Sequence, residues 1–351
     1  MVTTFLVGLD RGFLNAEGEL AWGDIGIGRL ADEPRVQTEF LAAPAGYPVR
    51  ELTPEHVRRY QGLILGGTAV TRRSLADGAE GLVVVCRAGV GYDRIDVAAL
   101  TEHDVALCTT PAASKHAVAS ASFAYMIALA KRMLDKDRLV RSGRWDLGGA
   151  YCGNELWRKT LGVVGFGNTG SELARLVGPF EMQVLCADPF LTAERARELG
   201  GELVPLDELL RRSDFVCVHA LLTEQTRRLI GERELGLMKP TAYFVNCARG
   251  PIVDETALIR ALQGQRIAGA GLDVFEEEPL RPDSPLIGLD NVMLSPHTMA
   301  HTLELSIWMG EINTRQLIAA AHGHIPESIV NREAVERAGF QAKLARWRFE
   351  G

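Results

Sequence analysis

The sequence predicts an α/β protein of two domains, each built on a doubly wound parallel sheet, with the first completed by the C-terminal segment. Three observations carry this expectation. From Thr160 onward, short apolar runs alternate with helical segments, the rhythm of a parallel sheet covered by helices. Inside that stretch, Gly165-Phe166-Gly167-Asn168-Thr169-Gly170 lies between an apolar run and a helical one. And 351 residues exceed what one core ordinarily supports, so two domains are expected.

The elements follow in order. Met1 to Gly8 reads as a first strand around Phe5-Leu6-Val7. Arg11 to Pro48 is poorly periodic and reads as a surface excursion or short helices. Gly62–Leu65 and Leu82–Cys86 are strands, followed by the turns Gly66-Gly67-Thr68 and Gly89-Val90-Gly91. Ligands gather beyond the carboxyl ends of parallel strands, and N–H groups in such turns can hold a carboxylate. Taken alone, both turns read as ordinary turn glycines. Pro111 ends this pass, giving a first-domain segment of residues 1–112.

His116 to Val140 reads as one long helix, nearly all apolar between Ala117 and Ala130. A helix apolar all round must be buried on most sides, at a domain junction or in a subunit interface. Arg141 to Trp145 breaks it, and a connector runs to Trp157. The second domain, residues 113–300, then offers strands at Leu161–Val164, Met182–Ala187, Phe215–Val218, Ala242–Val245, Ile267–Gly269 and Val292–Leu294. Leu206–Leu210 is a short helix before Asp214, and Val253–Leu258 opens another with Asp254 as its N-cap. A last helical region, Thr302 to Ala321, lies beyond the final strand, so residues 301–351 return to the first domain.

Strand, glycine turn, helix, strand and then Asp188 is the pattern of a Rossmann-like dinucleotide site. Gly165 permits the tight turn, Gly167 leaves room for a pyrophosphate, and Gly170 lets the helix sit close to the sheet. The N–H groups at the helix start face the phosphates. Asp188 is placed to accept hydrogen bonds from the ribose hydroxyls and to repel a 2′-phosphate, which favours NAD over NADP. Pro189 to Thr192 supplies no compensating base, and Arg195 is the nearest. The bland alternatives are a glycine-rich turn in some other α/β protein and an Asp-Pro turn after a strand.

The net charge of −7 argues against a nucleic-acid surface. The six cysteines, Cys86, Cys108, Cys152, Cys186, Cys217 and Cys247, form no CxxC pair and fit reduced residues of a cytoplasmic protein. The N-terminus lacks a basic leader, and the Ala117–Ala130 run is too short to span a membrane. His297 and His301 have helical zinc spacing, but no HExxH occurs and no metal is expected.

A nicotinamide carries hydride. Oxidising an alcohol also needs a base, and an α-hydroxy acid needs a cation for its carboxylate, a task suited to the planar fork of arginine. Arg249 follows the Ala242–Val245 strand. His297 follows the last strand and can take and return a proton near neutrality. Glu276, Glu277 and Glu278 offer a carboxylate to orient that ring and favour its charged form, and their spacing selects none of them. His219 ends a strand and is expected to serve the cofactor side structurally.

In this order, Arg87-Ala88-Gly89-Val90-Gly91-Tyr92-Asp93, the glycine turn, Asn246-Cys247-Ala248-Arg249-Gly250, Gly271-Leu272-Asp273-Val274-Phe275-Glu276-Glu277-Glu278-Pro279 and Ser295-Pro296-His297 resemble the D-isomer-specific 2-hydroxyacid dehydrogenases. That family includes D-3-phosphoglycerate dehydrogenase. The match runs roughly from Leu63 to Asn331. The resemblance implies a catalytic set of Arg249, Glu278 and His297, choosing the glutamate immediately before the proline. It implies that Arg249 holds the substrate carboxylate and carbonyl, and that His297 is the acid/base with Glu278 behind it. Arg87, Gly89, Val90 and Gly91 would bind substrate. Asp273 would lie near the nicotinamide carboxamide, with Asn168, Thr169, His219 and Cys247 also on the cofactor side. A split first domain and a homodimer built on the cofactor domains are implied as well.

Arg94, Ser114, Ser120, Arg158 and Leu221 depart from the usual residues at their positions, and phosphoglycerate specificity is not carried over. The chain ends soon after Asn331, which leaves no room for the regulatory domain of some relatives. The expected function is NAD-dependent interconversion of a D-2-hydroxy acid and its 2-keto acid. The alternatives are a non-catalytic NAD-binding corepressor or scaffold, and an NAD-linked dehydrogenase of a different oxyanion donor.

Overall fold

The computed structural model describes residues 4–23, 25–42 and 51–348; residues 1–3 of the expected first strand, 24 and 43–48 of the poorly periodic stretch, and 349–351 of the returning C-terminal segment lie outside them. The chain forms two compact units, Met1–Ser114 with His301–Gly351, and Lys115–Ala300.

The first unit carries β1 (Phe5–Leu9), β2 (Val36–Phe40), β3 (Gly62–Leu65), β4 (Val84–Arg87) and β5 (Ala106–Cys108). They lie in the order β2-β1-β3-β4-β5, all parallel. Both faces are covered, so the strands read as continuous apolar runs rather than alternating ones. Leu63, Leu65, Val85 and Leu107 enter one core with Val57 and Leu100. Phe5, Val7, Ile64, Val84 and Cys86 enter the other, which Leu317, Ala320, Phe340 and Leu344 close. Those closing residues belong to helices Leu303–Ala321 and Ala338–Ala345. The C-terminal segment therefore completes the first domain, each buried Leu or Phe adding roughly 1.5–3 kcal/mol. Asn331 stitches the segment to β5, accepting from Leu107 N–H at 2.8 Å and donating to the Val105 carbonyl at 3.0 Å.

The stretch after Arg11 is more than a surface excursion. It supplies the edge strand β2 and buries Phe13, Ile25 and Leu30. Polar Gln37, Thr38 and Glu39 fill the middle of β2, as suits an edge strand, and that hides it from a search for apolar runs.

The second unit carries β6 (Thr160–Val164), β7 (Gln183–Ala187), β8 (Glu202–Leu203), β9 (Phe215–Val218), β10 (Tyr243–Asn246), β11 (Gly269–Leu272) and β12 (Val292–Leu294). Their order is β12-β11-β10-β9-β6-β7-β8, again all parallel. The chain starts at β6, steps outward to β8, returns to β9 and continues the other way. The reversal between β6 and β9 is the switch point where such sheets bind ligands beyond their carboxyl ends.

The expected helix His116–Val140 is two helices, Pro111–Ala130 and Met133–Arg141, bent by 59°. Arg132 takes left-handed angles, φ 53° and ψ 46°, and its N–H closes on the Leu129 carbonyl at 3.1 Å, a helix-stopping conformation. Its guanidinium stacks on Tyr151 and pairs with Asp135 at 2.8 Å. The first helix packs Tyr125, Met126, Leu129 and Ala130 into a core with Leu161, Val163 and Val245 of its own domain. Its apolar character is thus satisfied within the chain and does not call for a partner subunit. Among the described residues, no single helix is long and apolar enough to cross a membrane.

Candidate active site

The cofactor turn begins where β6 ends. Gly165 has φ 87°, and a Cβ there would lie 2.5 Å from Ala220 N, so only glycine fits against the chain leaving β9. A Cβ on Gly170 would meet the Gly165 carbonyl at 2.5 Å and Val163 at 2.9 Å, which holds helix Asn168–Val177 against the sheet. A Cβ on Gly167 would meet nothing within 4 Å, leaving open space beside the helix N-terminus, with Asn168 and Thr169 in its first turn. The side chain of Asp188, just past β7, accepts from Phe166 N–H at 2.8 Å and Phe190 N–H at 2.9 Å. One carboxylate oxygen thereby ties the acid to the glycine turn. These features fit a dinucleotide.

His219 follows β9, its N–H bonded to the Val164 carbonyl at 2.8 Å. Its Nε2 is shut off from solvent and has no hydrogen-bond partner among the described residues. Burial lowers its pKa to about 4, so the ring is neutral at pH 7. An orphaned, neutral imidazole beside Gly165 suits a polar contact with a nucleotide and not acid catalysis. Cys247 is buried after β10. Burial pushes its thiol up to about 12, the nearby Ser122 hydroxyl lowering it and the Asp273 charge adding to the rise, so it packs and does not react.

Arg249, Glu278 and His297 lie beyond β10, β11 and β12, which are neighbours in the sheet. Asn246, 1% exposed, holds the Arg249 loop: its amide donates to the Arg249 carbonyl at 3.0 Å and its oxygen accepts from Ala248 N–H at 3.0 Å. A Cβ on Gly250 would sit 1.8 Å from the Phe275 carbonyl, so the arginine loop presses backbone to backbone on the loop leading to Glu278. Arg249 Nη1 donates to the Ala248 carbonyl at 2.7 Å. Asn246 and Gly250 were not singled out from sequence, and only their place in the Asn246–Gly250 run marks them.

Glu278 Oε2 meets His297 Nδ1 at 2.9 Å, and Oε1 accepts from Phe275 N–H at 3.1 Å. Burial works to raise the Glu278 pKa. The His297 hydrogen bond and charge, the Phe275 N–H and the Arg249 charge outweigh it and hold the carboxyl below its usual value. The ionised carboxylate fixes Nδ1, which leaves Nε2 for chemistry. His297 has φ 57°, a left-handed angle that persists in a non-glycine residue only when its surroundings enforce it. Asp273 enforces it: Oδ1 accepts from Thr298 N–H at 2.9 Å, from Met299 N–H at 3.0 Å and from the Ser295 hydroxyl.

In the first domain the two glycine turns differ. Asp10, 2% exposed, accepts from Gly66, Gly67 and Thr68 N–H at 2.8, 3.1 and 3.1 Å, so the chain's own carboxylate fills the first turn. In the second, Gly89 has φ 130° and gives its N–H to the Thr110 hydroxyl at 2.9 Å. The N–H groups of Val90 and Gly91 bond to no backbone acceptor among the described residues. Arg87 ends β4 and donates to the Ala88 carbonyl. Arg158, where the resemblance leads one to expect glycine, has φ 59°; its guanidinium pairs with Glu181 at 2.9 Å and stacks on Trp157.

Residues 123–299 match the family of D-isomer specific 2-hydroxyacid dehydrogenases, NAD binding domain. The chain is 40% identical to a glyoxylate reductase of Korarchaeum cryptofilum over 299 residues, 84% of this chain and 90% of that one. It is also similar to the solved structure of a glyoxylate reductase from Paecilomyes thermophila, with TM-score 0.80, 26% identity, and 95% and 100% of the two chains covered. An NAD-dependent formate dehydrogenase from Staphylococcus aureus, solved in complex with NAD, has TM-score 0.73, 28% identity, and 87% and 92% covered.

Proposed function

The chain belongs to the D-isomer-specific 2-hydroxyacid dehydrogenases, and we propose that it reduces a 2-keto acid to the D-2-hydroxy acid and runs the reverse reaction. Its cofactor is NAD. The observation that carries the substrate reading is the 2.9 Å contact of Glu278 with His297 Nδ1, with the Arg249 charge felt at the same carboxylate.

NADH, when bound, supplies the hydride for the keto carbon. His297, with Nδ1 held by Glu278, presents Nε2 and gives its proton to the keto oxygen as charge develops there. Arg249 offers a planar, permanently charged fork to the substrate's carboxylate and carbonyl. In the first unit, Arg87, Gly89, Val90 and Gly91 are proposed as substrate-binding residues. Gly165, Gly167, Asn168, Thr169 and Gly170 hold the pyrophosphate. Asp188 holds the adenosine ribose, while Asp273, His219 and Cys247 line the cofactor side.

We also propose a homodimer. Met133, Leu134 and Val140 of helix Met133–Arg141, with Trp145 after it, are exposed apolar residues of the cofactor domain. The cytoplasm is the proposed compartment, in keeping with six cysteines that are all free thiols.

A panel of 2-keto acids beginning with glyoxylate and pyruvate, followed by loss of NADH absorbance, tests the reading. At least one acid is expected to turn over, with NADH bound more tightly than NADPH, and Asp188→Ala narrowing that preference. Tight NADH binding without reduction of any acid would move the protein to the non-catalytic alternative.

A further inference from the structure

One polar group on helix Pro111–Ala130 reaches the loop that carries His297. Tyr125 is 1% exposed. Its ring lies over Gly271 of β11, where an added Cβ would come within 2.6 Å of it, so the missing side chain makes the room. The phenol hydroxyl meets Ser295 Oγ at 3.0 Å and the Leu272 carbonyl at 3.3 Å. Ser295 has one proton and gives it to Asp273 Oδ1, so it accepts from Tyr125. Asp273 Oδ1 in turn accepts from Thr298 and Met299 N–H. The hydrogen bonds thus run from Tyr125 to Ser295 to Asp273 Oδ1, the acceptor on which the two amides that follow His297 also converge.

We propose that Tyr125 is a positioning residue for His297, acting through Ser295 and Asp273 to hold the 295–299 loop in the conformation that sets the imidazole on Glu278. This rests on the reading of His297 as the proton donor. A purely apolar residue would fill the space over Gly271 equally well. The hydroxyl adds a direction, because each bond in such a chain polarises the next. It matters here because His297 occupies a backbone conformation that is unfavourable by itself. Burial, with the charge of Asp273 adding to it, pushes the phenol pKa above its usual value, so the group stays a donor.

Tyr125→Phe keeps the ring on Gly271 and removes only the hydroxyl. Amide exchange in the 295–299 segment should quicken about 3- to 10-fold, the worth of one hydrogen bond. The kcat for keto-acid reduction should fall about tenfold with KM little changed. In a Ser295→Ala background the same substitution should cost nothing further, because its route is already cut. Unchanged exchange in Tyr125→Phe would overturn the proposal, as would an equal loss of kcat in both backgrounds. If the wild type reduces none of the acids tested, the functional reading fails, and the exchange measurement still decides the proposal.

Discussion

Two histidines follow strands of the cofactor domain, and their surroundings differ. His219, shut off from solvent with its pKa lowered to about 4, holds no proton to give at neutral pH. His297 has an ionised carboxylate on Nδ1. Replacing His297 by alanine should therefore cut kcat by ~10²–10⁴-fold while NADH binding stays nearly intact. Arg249→Ala should lower kcat and raise KM together, since it removes a charge-assisted fork. Glu278→Gln should be milder than His297→Ala, as it weakens the orientation of the ring and leaves the ring in place. Steady-state kinetics with the best keto acid checks all three, and near-normal reduction by His297→Ala would end the assignment. From sequence, residue type and place after a strand named Arg249 and His297. Spacing could not choose among Glu276, Glu277 and Glu278, because the choice depends on a turn that brings Phe275 N–H and His297 to the same carboxyl. Tyr125 gave no signal at all: in a helix of apolar residues it reads as one more.

Among the elements, those with apolar runs were legible and those without were not. β3, β9 and β12 fall where the sequence places them, and β4 and β11 begin two residues later than expected. β2, β5 and β8 went unseen: β2 and β8 carry polar or exposed residues, while β5, Ala106–Cys108, is a short apolar run and the exception to that rule. The break at Arg132 depends on a single left-handed residue with no glycine to announce it. Helix Ala338–Ala345 holds a different surprise. Lys343 is 7% exposed, its ammonium donating to the His103 and Leu82 carbonyls at 2.6 and 3.1 Å. Burial lowers its pKa to about 8, against the charges of Asp104 and Glu80, which raise it. In the unfolded chain the value is about 10.4. Between the two, the unfolded chain binds the proton and the fold does not, so this group makes stability rise as pH climbs from about 8 to about 10.5. Thermal unfolding of wild type and Lys343→Met across that range should show the rise flattened in the variant, and equal slopes would refute it.

For the whole molecule, the apolar surface that argues for a second copy lies on helix Met133–Arg141 and at Trp145 after it. Trp145 is 79% exposed, Val140 58% and Met133 53%, large apolar side chains better suited to an interface than to water. Sedimentation should give a dimer at micromolar concentration, and Val140→Asp should shift it toward monomer. A stable wild-type monomer would defeat the assembly.

The split first domain has a consequence in time. Its sheet begins at residue 5, yet Leu317, Phe340 and Leu344, which close one face, emerge after the whole second unit. Domains fold as units during synthesis at about 5–20 residues per second. The second unit, complete at residue 300, can close first, while the uncovered face of β1, β3 and β4 waits about 10–45 s for its lid. We therefore expect nascent chains to pass through a half-built stage with a finished cofactor domain and an adhesive first sheet, the stage at which a chaperone would be most needed. Limited proteolysis of ribosome-bound chains of increasing length reads that interval directly, and early protection of the first sheet would exclude it.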